Sequence, residues 1–293
     1  MLITGGKGML GRTLRRRFAD HELFVADLPE VDILGLDALT ASFASFRPDV
    51  VIHCAAMTKV DDCEADDERA FRLNGMGSAN VAFASRACGA RLVAISTEYV
   101  FSGDVREWRL SSGAARSGGE AGWRETDATF PRTVYGKSKL AGERSILDIL
   151  PEAVILRIAW LYGAGGPSFV HTMAKLGAQA GTPLKVVNDQ RGNPTSTDVV
   201  ADVLAFLLDH PEVKGVVHGT CEGVCSWYEL TVELFRLMGL TRGVEPCTTE
   251  EFPRPAPRPA NSALEKTVLH ALGYRPARWQ DALAAFAARE FGV

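Results

Sequence analysis

The sequence predicts an α/β fold in which a doubly wound parallel sheet is accompanied by a smaller, mixed α/β domain. Short apolar runs alternate with segments of helical periodicity up to Gly163, and a glycine-rich turn follows the first of these runs. After Gly163 the rhythm changes. Regular alternation of strands and helices is typical of a parallel sheet with helices on both faces. The length of 293 residues is enough for one large domain or two intertwined ones.

The first elements are a strand and a helix joined by glycines. The apolar run 1–4 precedes Gly5, Gly8 and Gly11, and apolar residues recur at helical spacing over 10–18. Such glycines let the backbone approach a diphosphate, and the helix N-terminus offers amide donors and a favourable dipole. The pattern predicts a Rossmann-type dinucleotide site for NADPH or NADH.

The second and third strands carry the next ligand signals. The strand 23–26 ends at Asp27, where an acidic residue accepts hydrogen bonds from the adenosine ribose and disfavours a 2′-phosphate. Lys7 and Arg12 offer a counter-charge, so the choice between NADPH and NADH stays open. The strand 49–56 ends in small residues that leave room for a ligand, and His53 within it is interpreted as a neutral core histidine.

A catalytic set is predicted at the fourth strand and the helix beyond it. The strand 91–96 ends at Thr97, whose hydroxyl can bind a substrate carbonyl or can simply begin a loop. Tyr135 and Lys139 share one face of the helix 135–150. A nearby ammonium lowers the phenol pKa from about 10, so the phenol can give a proton to a substrate oxygen.

The remaining segments complete the architecture. Between the fourth strand and this helix, 103–130 lacks periodicity and is either a mobile flap anchored by Trp108 or Trp123, or a solvated insertion. We predict a dinucleotide-binding domain from 1–162 and 194–222, and a substrate-binding domain from 163–193 and 223–293. The other predicted helices are 36–46, 61–71 and 74–88 (one long helix or two joined helices), 169–180, 197–209, 227–238, 264–272 and 279–291, with strands at 153–160, 184–187 and 216–218.

Composition narrows the class of protein. The chain is 46% hydrophobic and 23% charged, with a net charge of −4, which is typical of a soluble globular protein and argues against a nucleic-acid partner. Apolar runs fall short of the roughly 18 residues that span a bilayer, and the N-terminus lacks the features of a secretion signal. The six cysteines are scattered, and Cys221 and Cys225 lack a histidine cluster, so we expect buried thiols, no metal and a cytoplasmic location.

Eight sequence runs, in this order along nearly the whole chain, resemble a known family. They are GGKGMLG at 5–11, HCAAMTKVD at 53–61, STEYVF at 96–101, ETD at 125–127, YGKSK at 135–139, RIAWLYG at 157–163, DQRGNPT at 189–195 and RPANS at 258–262. The chain resembles the extended short-chain dehydrogenases/reductases, and more closely the dTDP-4-dehydrorhamnose reductases and related 4-keto-6-deoxysugar reductases.

The resemblance implies NADPH- or NADH-dependent reduction of the C4 keto group of a nucleotide-linked 4-keto-6-deoxysugar. The expected reaction converts dTDP-4-dehydrorhamnose to dTDP-rhamnose or acts on a related antibiotic-type deoxysugar. It implies that Thr97, Tyr135 and Lys139 are catalytic, with Tyr135 as the acid and Lys139 on the nicotinamide ribose. The predicted cofactor-binding residues are Gly5, Lys7, Gly8, Met9, Leu10, Gly11, Asp27, Asp32, Ile33, Cys54, Ala55, Ala56, Thr58, Ser96, Tyr135 and Lys139. The predicted substrate-binding residues are Thr58, Val60, Thr97, Glu98, Tyr99, Tyr135, Trp160, Arg258 and Asn261.

The chain departs from the family pattern at three places. Glu98 stands where the family has Asp, and the 103–130 segment is about a dozen residues longer than usual, which leaves the sugar open. The first helix carries Thr13 and arginines in place of the acidic residues that bridge some dimers through a metal, so a homodimer is allowed but no metal is expected. Alternatives are a sugar-nucleotide 4,6-dehydratase or epimerase, and a non-catalytic NADP-binding regulatory subunit.

Overall fold

A computed structural model describes residues 1–104 and 122–293, which form two compact units. Unit 1 comprises Met1–Phe101, Thr129–Arg157 and Leu204–Val217. Unit 2 comprises the described residues of Ser102–Ala128, together with Ile158–Val203 and His218–Val293. The predicted flap residue Trp108 lies outside the described residues. Unit 2 takes in 102–104, 122–128, 158–162, 194–203 and 218–222, which the sequence-based division gave to the larger domain. The functional division into cofactor and substrate domains stays a prediction.

The largest sheet in the described part of the chain has six strands. They are β1 (Leu2–Thr4), β2 (Phe24–Ala26), β3 (Val50–His53), β4 (Arg91–Thr97), β5 (Val154–Ile158) and β10 (Gly215–His218). Their order is β10-β5-β4-β3-β1-β2, and β1 pairs in parallel with both β2 and β3, as β3 does with β4. The strand order reverses around β1, and ligands of open α/β sheets bind at the carboxyl ends of strands at such a switch point.

Burial on both faces explains why these strands form a parallel sheet. Leu2, Val51 and Leu92 lie in one core cluster, while the neighbouring Ile3 and Ile52, which point to the other face, are also fully buried. Strands covered on both sides read as continuous apolar runs, as the predicted strands do. The helices of this unit are α1 (Met9–Arg17), α2 (Leu36–Phe46), α3 (Val60–Ala65), α4 (Asp67–Phe71), α5 (Gly77–Cys88) and α6 (Val134–Ile149).

A π-helical turn at Arg72–Met76 joins α4 to α5, so the two predicted helices over 61–88 are joined segments. Asn74 in this turn donates to Ser138 Oγ on α6 at 2.9 Å and to the Met57 carbonyl at 3.0 Å. Helix α6 comes close because Gly142 has no side chain: a Cβ there would lie 2.2 Å from the Asn74 carbonyl oxygen. Such turns are frequent at functional sites, and this one supports the helix that carries Tyr135 and Lys139.

Unit 2 is built from short strands and helices around its own core. Its strands are β6 (Leu161–Tyr162), β7 (Leu184–Val187), β8 (Arg191–Gly192), β9 (Thr195–Ser196), β11 (Cys225–Ser226) and β12 (Val244–Cys247). Its helices are α7 (Phe169–Gly177), α9 (Trp227–Met238), α10 (Thr267–Ala271) and α11 (Trp279–Phe291), and α8 (Thr197–Leu208) begins in it and ends in unit 1. Tyr162, Leu230, Leu234, Leu283 and Phe286 belong to its core, and Cys221 and Cys225 are buried free thiols within it.

The predicted helix at 264–272 is too long. Leu264 instead forms an isolated parallel bridge with Trp123, and the helix begins only at Thr267. The Glu125 carboxylate accepts hydrogen bonds from the Thr267 hydroxyl and from the Val268 amide, the latter at 3.3 Å. An acidic group at a helix N-terminus satisfies amides that lack a partner within the helix, so Glu125 determines where α10 starts.

Candidate active site

The glycine turn after β1 is shaped by close backbone contacts. Gly5 has a φ of +66°, and a Cβ there would lie 2.6 Å from the Ala55 amide nitrogen. At Gly11 a Cβ would lie 2.5 Å from the Gly5 carbonyl oxygen. Gly8 is the N-cap of α1 and uses no side chain for capping. Within the described part of the chain, no side chain caps the start of this nine-residue helix, so its N-terminal amides are not occupied by a cap. The turn therefore fits a dinucleotide diphosphate.

Asp27 is held against this turn by two backbone amides. Its carboxylate accepts from the Lys7 amide at 2.8 Å and from the Leu28 amide at 2.9 Å. The Lys7 ammonium turns away to Glu30 Oε2 at 2.7 Å and to the Leu28 carbonyl at 2.6 Å. The expected counter-charge from Lys7 is thus directed to Glu30, and an acidic pair stands at the carboxyl end of β2.

The end of β3 borders the same turn. Cys54, Ala55 and Ala56 are half-buried, and the Cys54 amide donates to the Thr4 carbonyl at 3.1 Å. His53 is confirmed as a neutral core histidine, because its ring lies 2.7 Å from Thr4 Oγ1 and 3.0 Å from Ser78 Oγ. Burial, reinforced by the Lys139 charge, lowers the His53 pKa to about 3.

At the end of β4, three consecutive side chains form a polar cluster. Thr97 is buried and its hydroxyl donates to Glu98 Oε2 at 2.8 Å, while the Tyr99 amide donates to Thr97 Oγ1 at 3.2 Å. Glu98 is only 5% exposed. Burial raises the Glu98 pKa to about 7, against the lowering effect of the hydrogen bonds from Thr97 and the backbone.

Helix α6 brings Tyr135 to this cluster. Thr133 caps the helix by accepting from the Gly136 amide at 3.0 Å. Gly136 allows close packing, since a Cβ there would lie 2.1 Å from the Tyr99 carbonyl oxygen. The Tyr135 and Tyr99 rings pack edge to face at 5.5 Å. The glycine in the Tyr-Gly-x-x-Lys run therefore seats the phenol beside Thr97.

Lys139 lies one turn further along α6, with its charge in a buried ionic network. Its ammonium donates to the Ile95 carbonyl at 2.8 Å. Glu143, the next turn on, pairs with Arg157 through bonds of 2.9 and 2.6 Å and accepts from Ser96 Oγ at 2.5 Å. Burial lowers the Lys139 pKa to about 8, and the nearby Glu143 carboxylate opposes this shift.

The predicted lowering of the Tyr135 pKa by Lys139 is wrong for this structure. Burial raises the pKa of Tyr135 above its ordinary value, and the Glu98 carboxylate raises it further. A hydrogen bond with the Thr97 side chain is the one influence that lowers it among those acting on this phenol in the described residues. The Lys139 ammonium instead donates its hydrogen bond to the backbone carbonyl of Ile95 in β4.

In unit 2, Trp160 is fixed by aromatic stacking. It has a φ of +47°, in the left-handed region that non-glycine residues seldom adopt. Its ring stacks on Trp227 with centroids 3.5 Å apart and an interplanar angle of 8°. Gly192 leaves room beneath, since a Cβ there would lie 2.5 Å from the indole, and Trp227 donates to Gln190 Oε1 at 3.0 Å.

Asn261 and Arg258 lie on an irregular segment of the same unit. The backbone amide of Asn261 donates to the Gly103 carbonyl at 3.0 Å. The backbone carbonyl of Asn261 accepts from Trp123 Nε1 at 3.1 Å. Both roots of the long 103–130 segment therefore hold Asn261. Trp123, one of the two residues predicted to anchor this segment, is only 2% exposed. Arg258 is half-buried and donates to the Ala256 carbonyl at 3.3 Å.

The structure brings together the part of the predicted site that belongs to unit 1. Thr97, Glu98, Tyr99 and Tyr135 form one cluster at the carboxyl end of β4, and Lys139 is bound to the same strand through the Ile95 carbonyl. The Ser96 hydroxyl donates a hydrogen bond to Glu143. Val60 and Tyr99 pack against the apolar cluster that contains Tyr135. Thr58 is exposed, Asp32 accepts from the Leu34 amide, and Ile33 is buried.

Sequence reasoning did not find four side chains that support these residues. They are Asn74, Glu143, Arg157 and Trp227. Glu143 follows Lys139 by four residues and could have been found by helical spacing. Trp227 and Asn74 meet their partners only in the folded chain, so no local signal marks them.

Within 1–104 and 122–293, no group of three or more His, Cys, Asp or Glu side chains could hold a metal ion. In the same ranges, no helix combines the length and the apolar composition that crossing a bilayer requires.

A glycine turn at the sheet's switch point, a Thr at the end of β4 and a Tyr-x-x-x-Lys pair on helix α6 together define a nicotinamide-dependent enzyme of the short-chain dehydrogenase/reductase class. The chain belongs to the family described as RmlD substrate binding domain, whose pattern matches residues 1–291. The resemblance stated from the eight sequence runs is thereby confirmed.

Individual relatives agree along nearly the full chain. The chain is 42% identical over 287 residues to a probable dTDP-4,6-dihydroxy-2-methyloxan-3-one 4-ketoreductase of Streptomyces antibioticus, covering 96% of this chain and 92% of the relative. It is 42% identical over 291 residues to a dTDP-4-dehydrorhamnose reductase of Streptomyces griseus, covering 96% and 91%. A dTDP-4-dehydrorhamnose reductase of Bacillus anthracis, solved in complex with NADP, superposes with a TM-score of 0.90 at 33% identity, covering 98% of both chains.

Proposed function

We infer that this chain is an NADPH- or NADH-dependent reductase of the C4 keto group of a dTDP-linked 4-keto-6-deoxysugar. The observation that carries the inference is that Tyr135 lies beside Thr97 at the end of β4, that Lys139 binds the Ile95 carbonyl of the same strand, and that a glycine turn follows β1. Relatives that match nearly the whole chain bear the names of such reductases. The reduced nicotinamide, when bound, supplies a hydride.

The residues of unit 1 control the proton and the orientation of the reacting groups. Tyr135 donates its proton to the sugar oxygen as negative charge develops there, which is general acid catalysis. Thr97 donates a second hydrogen bond to the same oxygen. Lys139 holds the nicotinamide ribose. Its ammonium is held by the Ile95 carbonyl at 2.8 Å, and the Glu143 carboxylate favours its charged form against burial.

Binding of the rest of the substrate is assigned to six further residues. Thr58, Val60, Tyr99 and Trp160 contact the sugar. The stacked Trp160 ring gives the sugar a rigid apolar face. In unit 2, Arg258 and Asn261 bind the nucleotide diphosphate, for which a guanidinium is chemically suited.

The test is a cofactor oxidation assay with an upstream dehydratase supplying dTDP-4-keto-6-deoxyglucose or its 3,5-epimerised form. Absorbance is followed with NADPH and, separately, with NADH. Oxidation that depends on the sugar supports the inference, and the ratio of the two rates measures the effect of the acidic pair Asp27 and Glu30. Bound cofactor with no oxidation of either form would contradict it and would favour a regulatory subunit or an epimerase.

The dehydratase alternative requires an Asp-Glu pair after the threonine as its acid and base. This chain has Glu98 and Tyr99 there, and the Tyr99 ring packs against Tyr135.

A homodimer and a cytoplasmic location stay predictions.

A further inference from the structure

Glu98 is the part of the catalytic cluster whose role the proposed function leaves open. It begins the short 3₁₀ turn Glu98–Val100 immediately after Thr97, and only 5% of its surface is exposed. The partner that its side chain has in the described structure is the Thr97 hydroxyl, at 2.8 Å. A buried carboxyl beside a catalytic hydroxyl determines which way that hydroxyl can point.

The hydrogen bonds of Thr97 can be counted. A hydroxyl has one proton to donate and two lone pairs that accept. Thr97 Oγ1 accepts from the Tyr99 amide at 3.2 Å and donates its proton to Glu98. In this arrangement Thr97 has no proton left for a substrate oxygen.

Resting on the proposed function, we propose that Glu98 is a positioning residue whose neutral acid form switches Thr97 into its productive direction. An ionised carboxylate only accepts hydrogen bonds, so it holds the Thr97 proton. The neutral carboxyl donates to Thr97 Oγ1 instead, and the Thr97 proton is released toward the keto oxygen. Tyr135 gives its own proton to that same oxygen, while Thr97 Oγ1 accepts from the Glu98 carboxyl and from the Tyr99 amide.

The surroundings of Glu98 favour the neutral form. Burial raises its pKa to about 7, so both forms are populated near neutral pH. The titratable groups that face the cluster are Tyr135 of α6, Tyr99 and, against the phenol, Cys63 of α3. The charges of Glu143 and Cys54 act on Lys139, where both raise the pKa of the ammonium. Among the described residues, no cation offsets the cost of ionising Glu98.

A neutral Glu98 also helps the phenol. The Glu98 carboxylate raises the Tyr135 pKa, because two negative charges would have to form side by side. When Glu98 is neutral, this repulsion disappears as the phenolate forms. The same protonation event therefore supplies the hydrogen bond from Thr97 and makes Tyr135 a stronger acid.

The experiment compares the pH dependence of single-turnover reduction in the wild type and in Glu98→Gln, from about pH 5 to 9. Glutamine is neutral at every pH and its amide donates to Thr97. We expect the wild-type rate to fall by up to about tenfold per pH unit above about pH 7. The ratio of the Gln variant to the wild type should rise with pH, to about tenfold or more at pH 9.

Lys139 offers a competing source of an alkaline decline, since its pKa is about 8. A decline that persists unchanged in Glu98→Gln would assign it to Lys139 and overturn the proposal, as would a flat wild-type profile. A wild type that reduces no dTDP-4-keto-6-deoxysugar at any pH, while still binding cofactor, would instead contradict the proposed function.

A second measurement observes Glu98 directly and does not depend on turnover. Protein labelled with ¹³C at the glutamate carboxyl is titrated by NMR, and the Glu98 signal is assigned by its absence from Glu98→Gln. A midpoint near 7 is expected. A midpoint near the ordinary glutamate value of about 4.3 would overturn the proposal. Thermal unfolding and NADPH binding of the variant establish that it is folded.

Discussion

The protons around Thr97 are controlled by burial more than by nearby charges. Tyr135, Glu98 and Lys139 are each less than 10% exposed, and burial is the largest cause of the pKa shift of all three. Burial favours the neutral form of every group, so the site holds a neutral phenol and a carboxyl near its midpoint at pH 7. Such a site binds a neutral ketone readily and stabilises charge only as it forms.

Removing the phenol hydroxyl should separate chemistry from binding. Tyr135→Phe keeps the ring that packs on Tyr99 but has no proton to donate. We expect turnover to fall by about 100-fold or more, with NADPH affinity within about threefold of the wild type. Single-turnover kinetics and fluorescence titration measure the two quantities. Turnover retained in this variant would show that Tyr135 is not the acid.

Glu98 should also make stability depend on pH. Its pKa is raised in the folded protein, so its favourable contribution is complete below about pH 4.5 and is lost as pH rises through about 7. Glu98→Gln should therefore be more stable than the wild type at pH 8, by up to about 3 kcal/mol, and similar at pH 4.

Urea unfolding at the two pH values tests this stability prediction. The matched control is Glu152→Gln, at a glutamate that is 72% exposed and pairs with Lys214. That pair should respond little to pH. An equal stability difference for Glu98→Gln at both pH values would mean that Glu98 is ionised at its ordinary pKa.

The residue types of the site could be predicted from the sequence. The directions of their pKa shifts and the orientations of their side chains could not. The spacing of Tyr135 and Lys139 placed both on one helix face, as found. The same spacing led to the wrong expectation that Lys139 lowers the phenol pKa, because spacing does not reveal burial. That the Glu98 side chain lies against Thr97 depends on a single backbone turn, and no sequence pattern encodes it.

At the scale of elements, glycines set how closely the backbone segments pack. Gly11→Ala would place a Cβ 2.5 Å from the Gly5 carbonyl oxygen and from the Gly6 Cα, where only backbone could move. We expect a loss of about 1–3 kcal/mol of stability and at least tenfold weaker NADPH binding. Calorimetry and thermal unfolding measure these effects.

Gly35→Ala is the matched control for this change. Gly35 caps α2, and the nearest atom to its Cβ would be the Asp32 carbonyl oxygen, at an ordinary 3.6 Å. This variant should lose no more than about 1 kcal/mol and should bind NADPH as the wild type does. Equal binding by both variants would argue that the glycine turn does not hold the diphosphate.

The link between α6 and β5 is a buried ion pair. Glu143 and Arg157 side chains are 5% and 4% exposed. Glu143→Gln leaves the Arg157 charge buried without its partner, so we expect a loss of about 3–5 kcal/mol. The exposed Glu152→Gln should cost less than about 1 kcal/mol. Urea unfolding of both variants checks the difference, and equal small losses would mean that the buried pair is not formed.

The elements that were predicted well are those with a local signal. Strands buried on both faces read as apolar runs, and helices α2, α9 and α11 carry periodic apolar residues between their predicted ends. The start of α10 was missed because its cap, Glu125, comes from a distant part of the chain. The stack of Trp160 on Trp227 is long-range in the same way.

For the molecule as a whole, the parallel sheet fixes where the chemistry takes place. The carboxyl ends of β1, β3 and β4 lie side by side because the three strands pair in parallel. This places the glycine turn, the small residues after His53 and the Thr97 cluster at one edge. The strand alternation predicted this edge, while the short strands of unit 2 left a weaker periodic signal in the sequence.

The most direct test of the account follows the hydrogen atom itself. The wild type is incubated with NADPH deuterated at the transferable position of nicotinamide C4 and with dTDP-4-keto-6-deoxysugar, and the product is analysed by mass spectrometry and ¹H NMR. The account predicts one deuterium in the sugar, bonded to C4, with loss of the H4 resonance. Product without deuterium, or with deuterium at another carbon, would contradict reduction at C4.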